Sequence, residues 1–585
     1  MARYDYGPLP YRPAPELSGT ASRAPVVIVG AGPVGLTAAI DLARHGIASV
    51  VVDDGDKVSV GSRAICWAKR TLEIFDRLGV ADRMLAKGIT WKVGRLFHGD
   101  REVYSFDLLP EAGHKMPAFI NLQQYYVEEY LIDRARELGN LIDLRFRSRV
   151  TDVAQTEAGV TVTVASPDGT YELGAAWLVA CDGSHSTVRR RLGLAFEGTA
   201  FEDRFLIADV EMKADFPSER RFWFEPTFHP GETALLHKQP DDIYRIDLQL
   251  GPDADPEVER RPDVVRPRIE KAVAGRPFEI DWVSVYSFRC ARLARFVHGR
   301  VLFAGDAAHV VSPFGARGGN GGIQDVDNLA WKLAAVIRGE APPALIETYD
   351  AERVHAADEN IVNSARSTNF MSPRNKAERM FRDELLAVSS HFPAARPLIN
   401  SGRLSRPASL APLFGGAPPG AAAPLRPGDP CPDAPLGEGW LLSALGGGFV
   451  LLAVGMPAPV VEGVTPLEVS ACGTIAERYG RGLVLVRPDQ HVAAVWPEGA
   501  SAETVAAARD AVMEGRGVHA LPPRALEDGE DADARYATLL KLHRGLSEEA
   551  SAALNARLVL AMMAAAGPAV TKEALEAVGA TMETR

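Results

Sequence analysis

The stretch VVIVGAGPVGLTAAIDLARHG, residues 26–46, decides the fold. Val26 to Val29 form a short, largely β-branched run with the composition of a buried strand. Gly30, Ala31, Gly32, Pro33, Val34 and Gly35 follow as G-x-G-x-x-G, and the apolar spacing of LTAAIDLARHG is helical up to Gly46. A second such run, Ser49 to Val52, closes the unit. Strand, glycine turn, helix and strand in that order predict a parallel βαβ unit opening an α/β protein.

Glycines at such a turn let the backbone approach a pyrophosphate at the helix N-terminus. Asp53 ends the second strand 18 residues past Gly35, where a carboxylate can accept from both hydroxyls of an adenosine ribose. The glycine pattern alone fits NAD or FAD. About 270 residues farther on, RVLFAGDAAH (300–309) ends another apolar strand at Gly305 and Asp306, and CDGSHSTVR (181–189) follows the apolar WLVA. A distant carboxylate at a strand end suits the ribityl chain of FAD and has no counterpart in a simple NAD site.

A chain of 585 residues is too long for one core and points to two to four domains. With 46% hydrophobic and 24% charged residues it is not disordered, and a formal net charge of −12 gives no electrostatic reason to bind nucleic acid or an anionic membrane. Cys66, Cys181, Cys290, Cys431 and Cys472 lie far apart and form no Cys-x-x-Cys or metal-ligand spacing, so no metal is indicated. The proline-rich N-terminus has no apolar h-region, and no apolar run reaches the roughly 18 to 20 residues of a membrane span. These features predict a cytoplasmic protein without stable membrane insertion.

The expected organisation is an N-terminal arm at 1–24, a discontinuous first domain at 25–200 and 290–400, and an antiparallel-sheet domain at 200–290 inserted into it. A Pro/Gly/Ala-rich linker follows at 401–424, then a small α/β domain at 425–520 and a helical tail at 531–585. Residues 62–86, 121–138 and 322–337 read as helices. So do 534–543 and 547–566 in the tail, the latter after an N-cap-like Ser547.

Taken together, the glycine fingerprint at 30–35, Asp182-Gly183 with Ser186 and Arg189, and Gly305-Asp306 carry a resemblance. It continues through PFGARGGNG (313–321) and DNLAWKL (327–333) and covers about residues 24–520. The chain resembles single-component flavin-dependent aromatic hydroxylases of the para-hydroxybenzoate hydroxylase fold. Within that group it is most similar to the longer, 3-(3-hydroxyphenyl)propionate hydroxylase-like members. The resemblance implies a Rossmann-like FAD-binding domain, an inserted substrate sheet, and a thioredoxin-like C-terminal domain, here without Cys-x-x-Cys and with a structural or homodimer-supporting role. The tail resembles a small helical family of unknown function.

By the same resemblance, Gly30 to Gly35 hold the pyrophosphate, Asp53 the ribose, Arg63 lies near the phosphates, Gln124 meets the ribose or ribityl region, and Val150 meets the adenine edge. Asp182 belongs to the cofactor site, Asp306 takes the ribityl hydroxyls, and Gly318, Gly319 and Asn320 offer N–H groups to the flavin ring. Pro313 sits at the flavin edge. His237, Arg245, Asp247, Gln249 and Tyr286 are pocket candidates, with Arg245 aligned with an arginine that follows the moving flavin and His237 as acceptor of a phenol proton. Arg245, Asp247 and Gln249 share one face of a strand, and a solvated sheet face is the plain alternative. Arg317 either raises the potential at the flavin or points to solvent, and His309 is a structural group at its turn. The implied reaction uses NAD(P)H, bound transiently, and O2 to hydroxylate a phenolic substrate through a flavin C4a-hydroperoxide. Alternatives are a flavin oxidase or reductase on this scaffold, or a flavin-binding regulatory or assembly protein.

Overall fold

The computed structural model describes residues 4–518 apart from 20–22, 62, 252, 313–314, 374–375, 400–405 and 416–424, with scattered positions between 541 and 562. Its first sheet has five parallel strands in the order Val301–Phe303, Gly169–Ala180, Arg23–Val29, Ser49–Val52 and Ile142–Arg145. Val26, Val27 and Ile28 are wholly buried, because a parallel strand covered on both faces has no solvent side. The helices Pro33–Arg44 and Gly318–Ile337 pack against each other and share one core with this sheet. Gly30 N–H donates to Val52 O and Cys181 N–H to Val29 O, each at 2.8 Å, so the strand ends converge on one edge. That edge carries Gly30, Asp53, Asp182 and Asp306, which is where an open α/β sheet places its ligand.

The second sheet runs in the order His309–Val310, Glu279–Arg292, Glu197–Glu211, Ile243–Leu250, Thr233–Lys238, Arg220–Phe224, Val93–His98 and Arg101–Asp107. It is antiparallel except where Arg220–Phe224 pairs parallel with Val93–His98. The hairpin at 93–107 was not expected in this sheet, since nothing local to it shows that its partner lies over a hundred residues away. One face buries Leu206, Ala208, Val210, Tyr244, Ile246 and Leu248 against Val265 and Ile269 of the helix Pro262–Ala272. The other face looks toward the strand-end edge of the first sheet.

The expected helix at 62–86 is corrected. Cys66–Ala68 is a strand paired with Phe119–Asn121, and helices span Lys69–Leu78 and Ala81–Lys87 on either side of Gly79 in the left-handed region (φ 80°). Buried Trp67 and Ala68 gain more as part of a three-stranded sheet with Phe119 than as a solvent-facing helical turn. Gln124–Glu137 is helical, and the long helix begins four residues earlier than expected, at Gly318.

Farther along, strands Phe449–Val454, Val464–Val469, Gly482–Val486 and Val492–Trp496 make a four-stranded mixed sheet flanked by helices Gly473–Tyr479 and Ala502–Met513. It packs Phe449 and Leu451 on Trp331 and Ala335 of the long helix. Arg70 donates to Asp489 O (2.7 Å) and pairs with Asp327 (3.2 Å), and Arg487 pairs with Glu352 (2.7 Å), so buried charges cross the same seam. Most of the expected tail helices lie outside the described residues. Ser547 Oγ does accept from Ala550 N–H at 3.2 Å, as an N-cap does. No helix among the described residues is long and apolar enough to cross a membrane.

Candidate active site

The site begins at the glycine turn. Gly30 sits at φ 103°, and a Cβ there would overlap the Cys181 carbonyl; a Cβ on Gly35 would overlap the Gly30 carbonyl oxygen. These two glycines let the neighbouring strand ends and the first helix turn close on each other. Gly32 is different: a Cβ there would meet no protein atom within 4 Å, so it borders open space at the start of a 12-residue helix, with Pro33 and Val34 as the next helical residues. Backbone N–H groups at such a helix start attract an anion.

Asp53 is fixed against this turn. Its Oδ2 accepts from Ala31 N–H (2.6 Å) and its Oδ1 from Gly55 N–H (2.7 Å). Burial pushes its pKa up, and those two bonds oppose the rise. A cleft of about 480 Å³ opens beside it, lined by Asp54, Gly55, Asp56, Arg147, Arg149 and Pro167, with Val150 next in the strand Arg149–Thr156. Ser148 N–H donates to Asp53 O at 2.7 Å and holds that wall in place.

Asp182 follows the neighbouring strand Gly169–Ala180 on the same edge of the sheet. Its Oδ2 accepts from Val188 N–H (3.1 Å), while Oδ1 is buried with no hydrogen-bond partner. Arg189 donates to Ser184 O (2.5 Å) and Ala307 O (3.1 Å), fastening this turn to the one that carries Asp306. Asp325 holds the second turn: it accepts from Gly305 N–H (3.0 Å), His309 Nε2 (2.7 Å) and Arg353 Nε (2.7 Å). Burial alone would raise its pKa, but His309 and Arg353 bring it down to about 2. His309 is therefore a structural group at the turn, as expected. Asp325 was missed, because its role depends on three partners scattered over 48 residues.

Asp306 is reached by solvent yet enclosed by protein, and that burial raises its pKa while His309 and Arg63 pull the other way. Its Oδ1 lies 3.9 Å from where a Cβ on Gly318 would stand, so it faces the start of the long helix. Asn320 pins that start: Oδ1 accepts from Ala68 N–H (2.9 Å), and Nδ2 donates to Cys66 O (2.9 Å) and Ala316 O (2.6 Å). Gly319 stands against Ala64 and Trp67. Gln124 Oε1 accepts from Ala64 N–H (3.1 Å), which positions the loop that carries Arg63. Of the two readings of Arg317, the solvent-facing one falls: the side chain is buried and donates to Asn360 Oδ1 at 2.7 Å. Pro313 lies outside the described residues.

The loop that carries Arg63 meets the second sheet through Arg245, which donates to the Arg63 carbonyl. Arg245, Asp247 and Gln249 share the face opposite the helix-covered one; Arg245 and Gln249 are buried and Asp247 half-buried, so the solvated-face alternative falls. Register sets their neighbours. Arg245 stands opposite His237 and Asp209, and Asp247 opposite Leu235 and Ile207. Gln249 stands opposite Phe205, which in turn pairs with Tyr286.

Arg245, 3% exposed, makes a two-pronged pair with Asp209 (2.9 and 2.9 Å) and donates to Arg63 O (3.3 Å). Gln249 binds Thr233 and reaches Ser372 (2.6 Å), tying sheet to helix. His237, also 3% exposed, has Nδ1 3.9 Å from Cys66 Sγ; burial, with Arg220 and Arg245 nearby, pushes its pKa well down. Asp247 Oδ1 is buried and without a hydrogen-bond partner, and burial pushes its pKa up to about 6 against the pull of Arg245 and Arg220. Tyr286 is 36% exposed, and burial of its hydroxyl, with Asp306 nearby, raises its pKa. Asp209 and Cys66 escaped the sequence reading, since only strand pairing brings them here.

The FAD binding domain family matches residues 23–364. A flavin-dependent monooxygenase of Mycobacteroides abscessus is 32% identical over 504 residues, 81% of this chain and 97% of the relative. The chain belongs to this family of FAD-dependent monooxygenases. A second relative of this monooxygenase, a 3-(3-hydroxy-phenyl)propionate/3-hydroxycinnamic acid hydroxylase of Mycolicibacterium smegmatis, is 30% identical over 373 residues; the match spans 63% of this chain and 65% of that one. The crystal structure of the flavin-dependent monooxygenase PieE with FAD and substrate superposes with a TM-score of 0.71 at 25% identity, over 84% of this chain and 98% of that one. Residues 527–579 match a family described only as a protein of unknown function.

Proposed function

We propose that this monooxygenase binds FAD along the cleft from Asp53 to the start of the long helix and hydroxylates a phenolic ring held against the second sheet, using NAD(P)H and O2. The observation that carries the reading is the convergence of the strand ends of the first sheet on one edge. The open backbone at Gly32, the unpartnered Asp182 Oδ1 and the solvent-reached Asp306 all stand there, and the Arg63 carbonyl beside it accepts from Arg245 of the second sheet. Gly30, Ala31, Gly32, Pro33, Val34 and Gly35 would hold the pyrophosphate, Asp53 the ribose and Val150 the adenine edge. Arg63, Gln124, Asp182 and Asp306 would line the middle, and Gly318, Gly319 and Asn320 the ring. The fit is chemical: a carboxylate with free lone pairs stands where a diol is needed, and a helix start stands where negative charge develops.

When bound, FAD would carry electrons from NAD(P)H to O2 and pass one oxygen atom of that O2 to the substrate. The chain's own residues do the rest. The 20-residue helix Gly318–Ile337 presents its positive N-terminal end, equivalent to roughly half a charge, to a reduced anionic ring. Arg245, clamped by Asp209, keeps a fixed polar group at the second sheet in place of mobile water. A hydroxyl on the substrate that gives up its proton raises electron density at the ortho and para carbons, the positions open to an electrophilic oxygen.

The C-terminal sheet is proposed as a thioredoxin-like, structural or dimer-supporting unit. All five cysteines are unpaired, which supports a reducing, cytoplasmic setting. The test is NADH and NADPH oxidation by the purified yellow protein across a panel of phenols, with oxygen uptake and product mass followed together. A phenol that speeds oxidation and gains one oxygen atom is the expected result. Oxidation that yields only peroxide across the panel would favour an oxidase, and a colourless protein unable to take up FAD would overturn the cofactor assignment.

A further inference from the structure

We propose that Asp247 accepts first the hydrogen bond and then the proton of the substrate hydroxyl, and that the wall around it selects hydroxyarenes lacking a carboxylate at that position. The inference rests on the hydroxylase reading and deepens it. Asp247 stands on the second sheet between apolar Ile207 and Leu235 across the strands and between Arg245 and Gln249 along its own. Its neighbours are already engaged. Arg245 is clamped by Asp209, and Gln249 is held by Thr233 and Ser372. Asp247 Oδ1 alone on this strand is buried without a hydrogen-bond partner, and a buried carboxylate oxygen in that state costs free energy until a donor arrives.

The charged and titratable groups facing Asp247 come from every element around it: Arg245 on its own strand, Asp209, Arg220, His237 and, from the strand beside Asn320, Cys66. Two cations and two carboxylates balance at this wall. A substrate carboxylate brought here would add a third negative charge beside Asp247 and Asp209 against two guanidinium groups, Arg245 and Arg220, whereas a neutral hydroxyl leaves the charges balanced. His237 is the weaker acceptor, because burial beside two arginines keeps its imidazole neutral and poorly basic. In the proton step the substrate O–H bond breaks, its electron pair stays on oxygen, and the proton forms the O–H bond of the Asp247 carboxyl. Once the ring has been oxygenated and sheds its C–H proton to solvent, Asp247 returns its proton to the ring oxygen.

The test compares holoenzyme and Asp247→Asn using 3-propylphenol, its methyl ether, and 3-(3-hydroxyphenyl)propionate. Binding is read from the flavin absorbance change, and turnover from product mass. Wild type is expected to bind and hydroxylate 3-propylphenol in preference to the propionate, with kcat/KM falling as pH drops through about 6. Asp247→Asn should keep its FAD and melting temperature, bind the phenol roughly tenfold or more weakly, bind the ether unchanged, and lose the acid limb. Asp247→Glu should restore part of the phenol affinity. If the wild type hydroxylates a phenol while Asp247→Asn retains affinity and pH profile, or if it prefers the propionate, the proposal falls and the hydroxylase reading stands. If the wild type hydroxylates none of the phenols, both fall.

Discussion

Gly32→Ala and Gly35→Ala should fail in different ways, because the space around the two glycines differs. Gly32 is the N-cap of the first helix, at φ −74° and ψ −178°, a conformation that alanine adopts freely, and its new methyl meets no protein atom within 4 Å. Replacing an N-cap glycine by alanine costs about 1 kcal/mol, and the smaller entropy of the unfolded chain returns about 0.4–1 kcal/mol. The apoprotein should therefore melt within a degree or two of wild type. The methyl does occupy the space through which a phosphate reaches the backbone. Loss of even one charge-assisted bond there is worth about 1.5–3 kcal/mol, or roughly tenfold or more in FAD affinity. At Gly35 the methyl overlaps the Gly30 carbonyl oxygen, so backbone must shift by about 1 Å in a close-packed turn. Helix propensity returns about 1 kcal/mol against an overpacking cost of about 1–3 kcal/mol, so apoprotein stability and FAD affinity fall together. Thermal melts of the apoproteins and titration with FAD, followed by quenching of its fluorescence, separate the two variants. A Gly32→Ala protein that binds FAD as tightly as wild type would refute the placement of the pyrophosphate.

Three further outcomes follow from the buried charges. Asp209→Asn leaves Arg245 buried with half its clamp, at a cost of about 3–5 kcal/mol in denaturant unfolding, and an unchanged midpoint would mean that the pair is hydrated in solution. Asp325→Asn should loosen the turn that bears Asp306 by weakening its holds on His309 and Arg353, so FAD titration should show weaker binding in a protein that still folds; unaltered affinity would separate Asp325 from the cofactor site. Glu352 is buried, which alone would raise its pKa, but Arg487 and Lys332 bring it from 4.5 down to about 2. A depressed carboxylate contributes stability that is complete above pH 4.5 and is lost as pH falls towards 2, here roughly 3 kcal/mol. The stability gap between wild type and Glu352→Gln should shrink across that window, and a gap constant with pH would sink the reasoning.

What could be read from the sequence was local or repeated a motif. The βαβ opening, the glycines, Asp53 and the two distant turns are contiguous patterns whose geometry follows from a few neighbouring residues. The long helix was legible from its apolar spacing, although its first turn, GGNG, has no apolar residue to mark it. Asp209, Cys66 and Asp325 were not legible, because each matters only through a register or a crossing that joins distant segments. Asp209 meets Arg245 36 residues away through strand pairing, and Asp325 joins Gly305, His309 and Arg353. Arg317 shows the same limit from the other side: the sequence leaves a loop arginine free to face the flavin or solvent, and only the helix Ala344–Met371, which brings Asn360 to it, decides against solvent.

The C-terminal sheet can be understood through the long helix. The start of that helix is held at the cofactor end by Asn320, and its flank carries Asp327, Asn328 and Lys332 into a buried cluster. Asn328 donates to Glu352 (2.6 Å) and Asp489 (3.2 Å), Lys332 to Glu352 (3.0 Å), and Arg487 closes on Glu352 and Asp489. Buried ion pairs add little net stability compared with apolar packing, but breaking one by removing a single partner is costly. Taking away Arg487 and Asp489 with the C-terminal sheet would leave Glu352 with Lys332 and Asn328 but without its guanidinium, and would strip Arg70 and Asn328 of their bonds to Asp489. That sheet is thus bound into the cofactor domain by charge as well as by packing, and its contribution is to hold fixed the helix whose first turn faces Asp306.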